Sequence, residues 1–244
     1  MTLQEFSNEF DILINSYFVT GNYQISTPVD LDDYEKSVLL TKAQNDIVKQ
    51  IYNGTLGVPF EGTEEARRYL DALICKEEIE VLEEASVKNK KAYKVNIGTD
   101  KPIWFIVYES ATISDEKCCK KESCCNDREV AVVPTRLDEL ERTIDNPFRM
   151  ANLNRVLRID SGKDSVTLIP PVGKIISKYN LIYIKKPSPI ILVDLGDSNL
   201  SIDGETSPSN CELNSGLHRT ILETAIRLAL NKIENSTPKQ PEEN

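Results

Sequence analysis

Apolar residues recur at helical spacing through the first third of the chain. Leu3, Phe6, Phe10, Leu13, Ile14 and Tyr17 fall three or four apart and predict a helix over about 2–18. Thr2-Leu3-Gln4-Glu5 opens it as a capping box, the hydroxyl and the carboxylate each serving the other residue's backbone N–H. Caps at Asp30 to Asp33 start a second helix with its apolar stripe on Leu31, Tyr34, Val38, Ile47, Val48, Ile51 and Tyr52, stopped at Asn53-Gly54. A third begins after Gly62-Thr63, with Ala66, Tyr69, Leu70, Leu73 and Ile74 on one side.

From Glu78 the period changes to two. Ile79, Val81, Tyr93, Val95 and Ile97 alternate with polar neighbours, and Ile103 to Val107 is a continuous apolar strand. Glu129 to Val133 reads as a strand and Thr135 to Ile144 as a short helix ended by Asp145-Asn146-Pro147. Arg155 to Ile159 and Ser165 to Ile169 flank the turn Asp160-Ser161-Gly162-Lys163-Asp164, and Lys178 to Lys185 is a further strand. The predicted fold is α+β: an N-terminal helical region, a small antiparallel sheet and a C-terminal helix. The expected organisation is a helical region over 1–77, then 78–234 as the sheet with a C-terminal helix packed on that region. Within it lies a cysteine-rich loop insert over 114–128, and a polar, mobile tail follows over 235–244.

The last helix, about Gly216 to Ile233, carries Leu217, Ile221, Leu222, Ala225, Ile226, Leu228, Ala229, Leu230 and Ile233 over a wide arc, leaving a narrow strip of Thr220, Glu223, Arg227 and Asn231. Such a face fits either a central core helix touched on several sides or a helix that also packs on another subunit. Ile221, Leu222 and Ile226 are the candidate assembly residues here. A second candidate element is the exit Lys185-Lys186-Pro187-Ser188-Pro189, where Pro187 and Pro189 stiffen an extended arm beside Lys186.

The formal charge of −10 opposes the counterion-release route by which proteins hold nucleic acid. It fits plain solubility, or an acidic wall past which DNA slides. No apolar run approaches the roughly 20 residues of a membrane crossing, and the N-terminal residues lack the pattern of a secretory signal. Reduced cysteines are therefore expected.

Catalytic groupings are scarce. The single histidine, His218, falls on the apolar arc of the last helix, and no nucleophile elbow or phosphate-cradling glycine motif accompanies it. No enzyme activity and no cofactor are expected. Cys118, Cys119, Cys124 and Cys125 form the one grouping with inorganic chemistry, either an exposed reduced loop or a soft-metal site. Adjacent cysteines point apart, which disfavours the metal.

Two groups of segments carry a resemblance. The first comprises Asp33-Tyr34-Glu35-Lys36-Ser37, Leu40-Thr41-Lys42-Ala43-Gln44, Tyr52-Asn53-Gly54 and Phe60-Glu61-Gly62-Thr63-Glu64-Glu65-Ala66-Arg67. The second comprises Tyr179-Asn180-Leu181-Ile182-Tyr183-Ile184-Lys185-Lys186-Pro187-Ser188-Pro189-Ile190, Cys211-Glu212-Leu213 and Leu217-His218-Arg219-Thr220-Ile221-Leu222-Glu223. Together they resemble virion structural proteins of crAss-like tailed phages of gut Bacteroidales. The resemblance implies a subunit made in the host cytoplasm and built into the virion as a head-to-tail connector ring between portal and tail. Its implied partners are copies of itself, in a twelve-fold ring, the portal protein and other neck or tail ring proteins. Genomic DNA would pass through the channel without sequence-specific binding. Two alternatives stand beside it: a metal- or thiol-dependent accessory protein working through Cys118 to Cys125, and a neck or tail component further from the portal.

Overall fold

The computed structural model describes residues 1–20, 30–55, 62–80, 83–98, 103–116, 127–162 and 165–236. The chain divides into two compact units, a helical one formed by Met1–Leu73 with Lys186–Asn244, and a sheet unit formed by Ile74–Lys185. The last helix thus belongs with the first three, and the boundary falls between Leu73 and Ile74.

The helical unit contains α1 (Leu3–Thr20), α2 (Asp33–Tyr52), α3 (Glu64–Leu70) and the final helix, α5 (His218–Ser236). The capping box forms as its residue types require: Thr2 N donates to Glu5 Oε2 at 2.8 Å and Glu5 N to Thr2 Oγ1 at 3.2 Å. Asp32 caps α2 by accepting from Glu35 N at 2.7 Å, and Thr63 caps α3 by accepting from Ala66 N at 3.2 Å. Phe6, Phe10 and Ile14, spaced by four, put α1 into the core, and α5 packs against both α1 and α2.

A polar stripe on α2 has a structural purpose that its helical spacing conceals. Ser37, Thr41 and Gln44 are buried on one face and serve the backbone of the extended segment 188–192, which joins no sheet. Gln44 Nε2 donates to Ser188 O at 2.8 Å, Ile190 N to Thr41 Oγ1 at 3.0 Å, and Leu192 N to Ser37 Oγ at 3.0 Å. Buried backbone groups need partners, and here helix side chains supply what a neighbouring strand would otherwise give.

The sheet unit holds β1 (Ile74–Ile79), β2 (Glu83–Val87), β3 (Lys90–Asn96), β4 (Ile103–Asp115), β5 (Arg128–Pro134), α4 (Leu140–Ile144), β6 (Arg155–Asp160), β7 (Ser165–Ile169) and β8 (Lys174–Lys185). All eight strands join one sheet in the order β1-β8-β4-β5-β6-β7-β3-β2. The expectation of a small antiparallel sheet is corrected: the sheet is large and mixed, because β5 and β6 run parallel. A parallel pair needs a crossover, and residues 135–154, which include α4, provide it.

The strand order also forces a curl. β1 and β2 lie at opposite ends of the order, seven gaps of about 4.8 Å apart in a flat sheet, or ~34 Å. Only residues 80–82 separate Ile79 from Glu83, and four Cα steps of about 3.8 Å reach ~15 Å at most. The sheet must bend back until its ends approach each other. Register shifts between β4 and β8, at Ile103/Phe105, Ile106/Tyr108 and Thr112/Ile113, mark the irregularities that bend the two longest strands.

Inside the curl, Tyr93, Val95, Ala111, Ile113, Val130, Val132, Val156, Val166, Leu168, Tyr179, Leu181 and Tyr183 form one core. On the opposite face Ala92, Leu157, Ile159 and Ile169 pack with Ile144 and Ala151 of the crossover. The predicted cysteine insert overlaps the end of β4 and the start of β5, and residues 117–126 lie outside the described residues, as do 237–244 of the predicted tail.

Candidate functional site

The sequence-predicted assembly residues sit inside the helical unit. Ile221 and Leu222 are 0% exposed and Ile226 is 1% exposed, so the wide apolar face of α5 is covered by the chain itself. Pro187 and Pro189 are buried in the extended segment clamped by α2, while Lys186 pairs with Asp203 at 2.7 Å. His218 is buried against the Phe6 ring. Its Nε2 lies 3.1 Å from Leu213 O and its Nδ1 2.7 Å from the Met1 amine. Burial pushes its pKa down. Both ring nitrogens thus face fixed partners, and neither faces a hydroxyl or thiol nucleophile.

Cys118, Cys119, Cys124 and Cys125 lie outside the described residues. Among the described residues Cys75 and Cys211 are free thiols, and no group of three metal-ligating side chains occurs. Burial raises the Cys211 thiol to about 11, which keeps it protonated and unreactive near neutrality.

Inside the curled sheet lies a charged cluster that periodicity did not reveal. Glu109 of β4, with its side chain 6% exposed, meets the Arg158 guanidinium of β6 and accepts from the Tyr179 hydroxyl of β8 at 2.9 Å. Arg158 also lies 3.3 Å from Asp160, and its Nε is buried without an acceptor. Burial raises the Glu109 carboxyl, and Arg158 and Tyr179 pull it part of the way back. Burial and the neighbouring carboxylate push the Tyr179 phenol well up. Through Glu109 the three groups link β4, β6 and β8 and tie the curl together from within.

Two surface features remain. A groove of about 510 Å³ opens between α1, α2 and α5, lined by Tyr17, Gln50, Thr224, Ile226, Arg227 and Leu230 among others. On the sheet unit the crossover exposes Phe148, at 87%, and Leu137 and Leu153 are also exposed.

The sequence profile described as "Phage tail ring protein 3/4" matches residues 1–240, across both units. The chain belongs to this tail ring protein family. It is 40% identical over 240 residues to "Ring protein 3" of Bacteroides phage crAss001, covering 94% of this chain and 95% of that relative. It is 30% identical over 241 residues to "Ring protein 4/5" of the same phage, covering 94% of this chain and 92% of the relative.

The protein is therefore a structural ring protein of a crAss-like phage virion. A ring protein acts through surfaces that repeat from copy to copy. Closed rings form when two different patches on one chain meet head to tail and the rotation between copies closes.

Proposed function

We propose that this ring protein is a connector in the neck of the particle, made in the host cytoplasm and stacked with the portal and other ring proteins around the DNA channel. Full-length similarity to ring proteins carries the reading. The charge distribution supports it: the helical unit holds 21 acidic and 10 basic residues, a net −11, whereas the sheet unit holds 18 and 19, a net +1. The chain's whole negative excess thus lies on one unit, and such a surface lets a polyanion pass without trapping it. The word "tail" in the family description favours a position on the tail side of the portal, further down the stack.

In this reading Ile221, Leu222, Ile226, Lys186, Pro187 and Pro189 serve assembly from inside, by holding the shape of the unit whose exterior makes the contacts. Quantitative mass spectrometry of purified virions tests the function. The expected result is one ring's worth of copies per particle, equal to the number of portal chains. Copy numbers on the order of hundreds, as in a shell, would contradict it.

A further inference from the structure

The eight-stranded sheet consists of two four-stranded halves, β1-β8-β4-β5 and β6-β7-β3-β2, that meet at the parallel β5–β6 seam. The seam holds four residue pairs, from Ala131↔Arg155 to Pro134↔Arg158. Hairpin turns set the register inside the second half. Lys88 and Asn89, both at positive φ, form the two-residue turn between β2 and β3, and Ser161 N donates to Ser165 O at 3.0 Å between β6 and β7. No such turn joins β5 to β6. Their link is the crossover 135–154, and closing a loop of that length costs nearly the same in neighbouring registers.

Hydrophobic patterning does not choose a register either. Val130 and Val132 of β5 and Val156 of β6 lie in the core inside the curl. Ala131 and Val133 of β5, and Leu157 and Ile159 of β6, put apolar side chains on the opposite face. A slip of one residue exchanges one apolar set for another, and a slip of two keeps every side chain on its face.

A buried ion pair spans this seam. Glu109 on β4 belongs to the first half and Arg158 on β6 to the second, with β5 between them, and Tyr179 of β8 donates to the same carboxylate at 2.9 Å. The arrangement is costly: burial raises the Glu109 carboxyl, and Arg158 Nε finds no acceptor among the described residues. Two well-packed leucines would serve stability as well. What leucines would lack is a preference for position. A slip of two residues carries Arg158 about 6.6 Å along the strand, past the reach of the Glu109 carboxylate, and leaves both charges buried and unpaired. Exposed contacts also bridge the halves, Lys91 Nζ to Glu116 Oε1 at 3.1 Å and Arg128 Nη2 to Asn154 Oδ1 at 2.9 Å. Solvent screening leaves such contacts little power to discriminate.

We propose that the Glu109–Arg158 pair is the register key of the sheet: it selects one alignment of the two half-sheets rather than adding to stability. A ring repeats one contact from copy to copy, so a copy slipped at the seam would present a displaced crossover to its neighbour. The key makes the subunits alike before they assemble.

The test compares three isotope-labelled full-length chains by NMR: the wild type, Glu109→Leu combined with Arg158→Leu, and Leu168→Ala. The wild type is expected to give one set of β5 and β6 signals, with cross-strand contacts matching Val132↔Val156. The paired leucine variant is expected to denature near the wild-type midpoint yet show a second set, at about a tenth of the main intensity or more, with contacts displaced by two residues. Leu168→Ala, which opens the same core on β7, is expected to lower the midpoint and keep a single set. A paired variant with one set and the wild-type contacts overturns the proposal. So does a paired variant that fails to fold, because the pair would then act through stability. A second set in Leu168→Ala also overturns it, since any loss of core packing would then loosen the seam.

Discussion

Ile221→Glu is expected to unfold the helical unit, at a cost of about 4 kcal/mol or more. Ile221 is 0% exposed on α5, which packs on α1 and α2, so a carboxylate there has neither water nor a partner. That cost approaches the whole stability of a typical domain, about 5–15 kcal/mol. Circular dichroism should show loss of helix at room temperature or a collapse of the melting temperature. A variant that melts like the wild type but no longer assembles would instead make this face of α5 a subunit interface.

Arg158→Leu is expected to cost about 3–5 kcal/mol, because it strands the Glu109 carboxylate in the interior of the curled sheet with the Tyr179 hydroxyl as its remaining partner. The paired replacement of Glu109 and Arg158 by leucine should recover much of the loss, since the desolvation cost of both charges disappears with them. The pH dependence has a definite sign. Burial already raises the Glu109 carboxyl, and removing Arg158 removes the largest influence that lowers it. The folded Arg158→Leu chain then binds a proton more tightly than the unfolded chain. Its stability is therefore best at low pH and falls as pH rises through the folded-state pKa. Denaturant titrations at about pH 5 and about pH 8 should show the larger penalty at the higher pH. An equal penalty at both would place the main cost in lost packing of the Arg158 side chain.

The helices were legible because their signals are local. The Thr2/Glu5 box, the Asp32 and Thr63 caps and the four-residue spacing of Phe6, Phe10 and Ile14 each lie within a few residues of the structure they specify. Sheet order was not legible, because pairing partners such as Glu77 and Leu181 lie far apart in sequence. No periodicity distinguishes a parallel β5–β6 pair from an antiparallel one. What did carry the information was the short link between β1 and β2, which turns a strand order into a curl once that order is known.

The candidate surfaces divide in the same way. The wide apolar arc of α5 was visible, but whether a neighbour within the chain or in another copy covers it depends on tertiary structure. Here α1 and α2 pack against it. Ser37, Thr41 and Gln44 carry no local sign of their role, since the segment they hold lies about 150 residues away. Phe148 follows Asn146-Pro147 in what reads as the end of a short helix, and nothing in that pattern tells an exposed ring from a buried one. The charge asymmetry between the units was hidden for a similar reason: the helical unit is assembled from both ends of the chain, so its net −11 belongs to no continuous stretch.

Imaging of the intact virion at side-chain resolution tests the central claim most directly. The account predicts density for this chain as a closed ring coaxial with the exiting DNA, every copy in the same orientation. Density confined to the capsid surface or to side fibres, away from the particle's DNA axis, would contradict it.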